Sequence, residues 1–138
     1  MKHGDIGYLY FGRRLQGEHN GVITAAFRVD SESSDRGCIL LNIGMAYCSP
    51  RDQFNKTMAR KIATNRINSR SGFFTAIDQH DKETRINDVV VEACNAHIER
   101  NKSKTRVGDD GRHVPVLPRW LRGITLTLPV KTTMPEVT

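Results

Sequence analysis

The sequence predicts one α+β domain, in which an N-terminal antiparallel β meander is followed by two helices and a short C-terminal strand. Three observations predict this class. Residues 1–48 alternate β-prone apolar runs with polar, glycine-containing turns. Two later segments, 49–70 and 84–102, carry apolar residues at helical spacing. The chain has 138 residues, which is the size of a single domain.

Three strands are expected in the meander. An aromatic and aliphatic run at 6–16 precedes Asn20-Gly21, a dipeptide that favours a tight hairpin turn, and a second apolar run follows at 22–29. The polar segment 31–37 separates this pair from a more buried run at 38–47. Sequential antiparallel pairing is the simplest arrangement of these three strands.

The first helix is predicted to begin at Ser49 and to end near residue 70. Ser49 is a preferred N-cap, Pro50 suits the first helical position, and Asp52 complements the helix dipole. Ser71-Gly72 then breaks the helix. The expected buried stripe consists of Phe54, Met58, Ile62, Ala59, Ala63 and Ile67.

The second half of the chain predicts one more helix. Residues 73–77 form either a short strand or a buried connector. A helix over 84–102, capped by Asp81 or Thr84, is indicated by apolar positions at Ile86, Val89, Val90, Ala93, Cys94, His97 and Ile98. We expect residues 103–130 to hold an exposed loop that extends to residue 112, a short extended segment at 114–118 and a closing strand at 124–128. Residues 131–138 are expected to form a frayed tail.

The net charge of +6 is unevenly distributed. Residues 51–70 contain six basic residues and one acidic residue, residues 71–103 are net acidic, and residues 104–138 are basic again. Dense basic segments favour ligands that carry phosphate, whether polymers or small molecules.

Several function classes lack their usual signatures. The phosphate-loop, dinucleotide-binding and esterase motifs do not occur, the histidines are scattered, and the three cysteines form no CxxC pair. We therefore expect no cofactor, no metal site and no catalytic constellation. Neither a membrane span nor a secretory signal is recognisable, so we expect a cytoplasmic protein with reduced cysteines.

The candidate ligand contacts combine basic and flat side chains. The first helix presents a basic face, paired phenylalanines follow it, and an arginine–tryptophan cluster lies near the C-terminus. An asparagine on the second helix is suited to hydrogen bonding with the edge of a nucleobase. The candidates are Arg51, Lys56, Arg60, Arg66, Phe73, Phe74, Asn87, Arg119 and Arg122.

Residues 48–56 read CSPRDQFNK, and a basic helix continues from there to Arg66. A strand that runs into this string, over residues 38–70, resembles the first type of the Thoeris anti-defence family of small phage-encoded proteins. The resemblance implies an N-terminal sheet, two long helices and a homo-oligomer, either a dimer or a hexamer. It further implies a sponge that binds cyclic nucleotide immune messengers, namely cyclic ADP-ribose isomers and cyclic oligonucleotides, without cleaving them.

Within the matched string, Arg51, Asp52, Phe54 and Lys56 agree with the family by residue type, and Arg51, Lys56 and Arg60 are the candidates for phosphate contact. The leading hypothesis is therefore a cyclic nucleotide sponge whose site is shared between subunits, because one small domain has little room for a pocket. The alternative is a basic nucleic-acid-binding or CRISPR- or nuclease-inhibiting phage protein. A third hypothesis is an enzyme that uses Cys48 or His97, although packing is the favoured role of both.

Overall fold

The computed structural model describes residues 4–12, 21–30, 38–49, 51–78, 85–121 and 125–127. In chain order the elements are β1 (Ile6–Gly12), β2 (Val22–Asp30), β3 (Cys38–Cys48), α1 (Lys56–Arg66), β4 (Phe73–Asp78), α2 (Ile86–Asn101), β5 (Thr105–Val107), β6 (His113–Pro115) and a 3-10 turn (Arg119–Leu121). The predicted α+β class, an antiparallel meander followed by helices, is confirmed.

The main sheet has four antiparallel strands in the order β1-β2-β3-β4. Residues 73–77, for which a strand and a connector were both open, belong to β4, which pairs with β3 from Cys38↔Asp78 to Ile43↔Phe73. The sheet therefore has one strand more than the expected three, and this fourth strand follows α1 in the chain. β5 and β6 form a separate two-stranded ribbon. β5 lies in the segment expected to be an exposed loop, and β6 overlaps the short extended segment expected at 114–118.

The two faces of the sheet are covered by different helices. Odd-numbered residues of β2 and β3, such as Phe27 and Ile43, point into the larger core with Val90, Cys94 and Ile98 of α2. Even-numbered residues, such as Ala26 and Ala46, pack instead against α1. Alternation along each strand thus places α1 on one face and α2 on the other.

Helix α1 begins later than the predicted residue 49. The oxygens of Ser49 accept from the backbone N–H groups of Arg51 and Asp52, at 3.2 and 3.0 Å, so Ser49 closes a turn that precedes the helix. Asn55 is the N-cap, because its side chain accepts from the N–H of Met58 at 3.0 Å. The predicted start was wrong because Ser49 and Asn55 both have cap chemistry, and only one of them leads into the helix.

The buried stripe of α1 consists of two alanines and the isoleucine at its C-cap. Ala59, Ala63 and Ile67 are buried, whereas Met58, expected in the stripe, is 54% exposed. A Cβ built on Gly44 of β3 would lie 2.3 Å from the carbonyl oxygen of Ala63. The helix backbone therefore approaches the sheet more closely than a larger residue at position 44 permits.

Helix α2 spans Ile86–Asn101, within the predicted 84–102, and buries Val90, Cys94 and Ile98. The predicted closing strand is not formed by residues 125–127, which have no strand pairing. The backbone N–H and C=O of Leu126 instead bond to the side chain of Asn95, at 2.7 and 2.9 Å. A side-chain amide on α2 thus replaces the strand partner.

Thr24 carries a buried hydroxyl that costs stability. Its side chain is 0% exposed, and its Oγ1 has no hydrogen-bond partner among the described residues. We expect Thr24→Val to raise the free energy of unfolding by about 1 kcal/mol, because it removes an unsatisfied polar group at similar shape. Urea denaturation measures the change.

The matched control for this prediction is Thr64→Val. The Thr64 hydroxyl lies 2.8 Å from the Tyr8 hydroxyl, so the same substitution there breaks a hydrogen bond and should lower stability. A loss of stability in Thr24→Val of the same size as in Thr64→Val would contradict the interpretation that the Thr24 hydroxyl is unsatisfied.

The N-cap of α2 is Arg85, whose side chain makes no capping hydrogen bond, and not the expected Asp81 or Thr84. Other predicted features lie outside the described residues, namely Asn20, Arg122, the ends of the 124–128 segment and the tail 131–138. In the described ranges, no helix has both the length and the apolar character needed to cross a membrane.

Candidate functional site

The candidate site lies where β3 extends beyond β4. Pairing between these strands stops at Ile43↔Phe73, whereas β3 continues to Cys48. Residues 44–48 therefore have no strand beside them on that edge in the described part of the chain. Met45 and Tyr47 of this open edge line a pocket of about 890 Å³.

Four arginines from separate elements line the pocket. Arg66 comes from the end of α1, Arg70 from the turn that follows it, Arg106 from β5 and Arg119 from the 3-10 turn. No acidic residue lines the pocket among the residues that the structure describes. Guanidinium groups stay charged in proteins, and each donates two parallel hydrogen bonds to the oxygens of a phosphate. This lining therefore favours a ligand with more than one phosphate.

The arginines differ in how firmly they are held. The Nη1 of Arg66 donates to the carbonyl oxygen of Met45 at 2.8 Å, and its guanidinium carbon lies 5.9 Å from the centre of the Tyr47 ring. Arg70, Arg106 and Arg119 are exposed and form no ion pair with any described carboxylate. Arg66 is therefore bound to the strand edge, and the other three are available to a ligand.

Flat side chains complete the wall. The His97 ring stacks on Phe73 with centroids 4.1 Å apart and planes 9° from parallel, and Asn101 donates to the carbonyl oxygen of His97 at 2.8 Å. Burial raises the pKa of Tyr47 above its ordinary value, so the phenol is neutral. The pocket thus combines several cations with neutral rings.

His97 makes the stability of the fold depend on pH. Burial, followed by the charges of Arg100 and Lys104, lowers its pKa to about 4, against about 6.5 in an unfolded chain. Between these values the unfolded state binds more protons, so the contribution of neutral His97 is complete above pH 6.5 and is lost as the pH falls towards 4. We expect His97→Gln to reduce the wild-type loss of stability between pH 7 and 4.5, measured by urea denaturation.

His113→Gln is the control for that measurement, because His113 is exposed on β6 and the substitution leaves His97 in place. Identical pH profiles of stability for wild type and His97→Gln would show that His97 is not the source of the pH dependence.

A second basic cluster lies on the opposite, α1-covered face at β1. The guanidinium of Arg60 donates to the Tyr10 hydroxyl and lies 4.9 Å from the Tyr8 ring centre, and the Nζ of Lys56 lies 5.1 Å from the Tyr10 ring centre. The rings of Phe54 and Tyr10 pack edge to face, with their centroids 6.2 Å apart. These cations are engaged with tyrosines of the same chain, which reduces their availability to a small ligand.

The structure separates the nine candidate residues. Arg66 and Arg119 line the pocket, and Phe73 supports its wall through His97. Lys56 and Arg60 belong to the tyrosine cluster. Arg51 is exposed in the turn before α1, Phe74 is 69% exposed on the even-numbered face, Asn87 is exposed on α2, and Arg122 lies outside the described residues.

Sequence reasoning missed Arg70, Arg106 and Tyr47. Arg70 belongs to the basic segment 51–70, which was a usable signal, but nothing in the sequence around Arg106 or Tyr47 distinguishes them. The pocket lies between elements of one chain, and the shared site that the short length suggested stays a prediction.

The chain matches no protein-family model, and comparison with curated proteins and with solved structures gives no match either.

Proposed function

We propose that the protein binds a cyclic nucleotide messenger in the arginine-lined pocket and holds it without cleaving it. The observation that carries this proposal is the convergence of Arg66, Arg70, Arg106 and Arg119 without a described carboxylate among them. A pocket of this charge is attractive only to a ligand that is itself strongly anionic.

Size and wall chemistry favour a nucleotide over an inorganic anion. The volume of about 890 Å³ lies within the range of about 300 to 1,000 Å³ that is common for organic ligands. Cyclic ADP-ribose isomers and cyclic dinucleotides carry two phosphates and at least one base. The guanidiniums suit the phosphates, and the rings of Tyr47 and His97 offer flat surfaces to a base.

Binding without cleavage is supported by the acid–base character of the lining. Arginine stays protonated at neutral pH, and His97, with its pKa lowered to about 4, is a weak base. No cysteine lines the pocket among the described residues. Cys94, in the core behind it, is buried, and burial raises the pKa of its thiol to about 12. The resemblance of residues 38–70 to a sponge family agrees with this proposal.

A thermal-shift screen with cyclic ADP-ribose isomers and cyclic dinucleotides tests the proposal, followed by denaturation and chromatography of the recovered ligand. We expect a saturable rise in Tm, since a ligand that binds only the folded state at 100 times its Kd adds about 2.7 kcal/mol. We also expect the ligand to return intact. Recovery of a cleaved product would indicate an enzyme instead.

Nucleic-acid binding is the second candidate, because α1 carries Lys56, Arg60, Lys61 and Arg66 and has no acidic residue. A polymer that contacts this helix releases counterions, so its affinity should fall steeply between 50 and 200 mM salt. No stabilisation by any cyclic nucleotide, together with salt-dependent binding of DNA or RNA, would favour this candidate.

A further inference from the structure

The backbone of the open β3 edge has a defined orientation. Val29 of β2 accepts from the N–H of Gly4, beside β1, so the backbone groups of odd-numbered β2 residues point towards β1 and those of even-numbered ones towards β3. Pairing of Ala26 with Gly44 and of Thr24 with Ala46 then directs the backbone groups of even-numbered β3 residues towards β2. The N–H and C=O groups of Met45 and Tyr47 therefore point to the open edge.

The bond from Arg66 supports this orientation independently. Its Nη1 reaches the Met45 carbonyl oxygen at 2.8 Å from outside the sheet. Tyr47 lies two residues further along the strand, so its N–H and C=O project from the same edge. Among the described residues, no hydrogen bond outside the ladder to β2 reaches the Tyr47 backbone. Tyr47 lines the pocket, and an adjacent donor and acceptor on its open-edge side have no partner in the described part of the chain.

We propose that the backbone N–H and C=O of Tyr47 pair with the edge of the ligand's base, as a further strand would pair with β3. This inference rests on the proposed function and specifies which part of the nucleotide enters the pocket at the strand edge. Every nucleobase carries a hydrogen-bond donor beside an acceptor, which is the complement of one strand residue's N–H and C=O.

The side chains around Tyr47 fall into two sets, one suited to the base and one suited to the phosphates of the ligand. Arg66 is held between the Met45 carbonyl and the Tyr47 ring, which places its guanidinium beside the open edge. Guanidinium groups stack on flat rings, so we assign Arg66 to the base. Arg70, Arg106 and Arg119 are the exposed cations, and these take the phosphates. A ligand with phosphate but no base therefore leaves the Tyr47 backbone unpaired.

Amide hydrogen exchange on the full-length, ¹⁵N-labelled protein tests this arrangement. In the free protein we expect the Tyr47 amide to exchange more than about tenfold faster than that of Ala46, which bonds within the ladder. Cyclic diadenylate and cyclic ADP-ribose are the nucleotide probes, and pyrophosphate is the phosphate-only probe. Binding of a nucleotide should slow Tyr47 exchange about tenfold or more, as one new hydrogen bond does, whereas pyrophosphate should leave it unchanged.

The Ala46 amide is the internal control in the same spectra, because Ala46 pairs with Thr24 in the ladder to β2. We expect nucleotide binding to leave its exchange unchanged while exchange at Tyr47 slows. Nucleotide binding with an unchanged Tyr47 amide would overturn the inference and leave the proposed function standing. Absence of binding by both nucleotides would overturn the proposed function as well. Equal exchange of Tyr47 and Ala46 in the free protein would overturn the inference alone.

Discussion

We expect simultaneous replacement of Arg106 and Arg119 by glutamate to abolish the proposed binding of cyclic nucleotides while the protein remains folded. Both side chains are exposed and line the pocket from the β5–β6 ribbon and the 3-10 turn. A hydrogen bond to a charged group contributes about 1.5 to 3 kcal/mol, so loss of two such contacts weakens binding by a factor of about 100 or more. Like-charge repulsion between glutamate and phosphate adds to the loss. Titration calorimetry measures the affinity, and circular dichroism checks the fold.

The double variant Arg51→Glu and Lys61→Glu is the matched control. It changes the net charge by the same amount at exposed positions that do not line the pocket, and we expect its affinity to stay within about threefold of wild type, since exposed charges at a distance are screened by salt. Equal loss in both double variants would show that overall charge, and not the pocket, attracts the ligand.

Gly44→Ala should strongly destabilise the fold, although it adds only one methyl group. The added Cβ would lie 2.3 Å from the Ala63 carbonyl oxygen and 2.6 Å from the Ile67 backbone nitrogen. Both atoms belong to backbone, so relief requires α1 to move away from the sheet. We expect a loss of about 3 kcal/mol or more, equivalent to a fall in Tm of roughly 10 °C, because overpacking against rigid atoms exceeds the usual cost of an added methylene.

Gly108→Ala provides the comparison. A Cβ there meets Asp110 Oδ1 at 3.4 Å and the Arg112 carbonyl oxygen at 3.5 Å, so the same change should alter Tm by no more than about 2 °C. If Gly44→Ala unfolds at the same temperature as Gly108→Ala, close packing of α1 on β3 is not a determinant of stability.

Much of the fold follows from local pattern. Alternating β-prone residues predicted β2 and β3, and the spacing of Val90, Cys94 and Ile98 predicted α2. The start of α1 did not follow, because Ser49 and Asn55 are both good caps and the choice depends on where the chain leaves β3. Strand β5 and its pairing with β6 were not predicted, because three-residue strands have too few positions for a period to show.

The site was only partly predictable. A basic segment ending near Arg70 and a C-terminal arginine cluster pointed to Arg66 and Arg119. Arg106 lies in a polar segment without a distinguishing neighbour, and Tyr47 lies in a strand whose pattern indicates only burial. Their proposed role depends on β4 starting at Phe73, opposite Ile43, while β3 continues to Cys48. This is a property of pairing between segments about 30 residues apart.

By itself, the sequence determined the chemistry that this protein carries: a basic chain of one domain, an antiparallel meander with helices, and arginines beside flat side chains. These follow from composition and from periodicities that span a few residues. Only the tertiary structure decided which arginines meet, because α1 and α2 lie on opposite faces of the sheet and only their C-terminal ends reach its open edge. Because β3 extends beyond β4, its unpaired edge lines a pocket. No local sequence pattern in either strand predicts this difference in length.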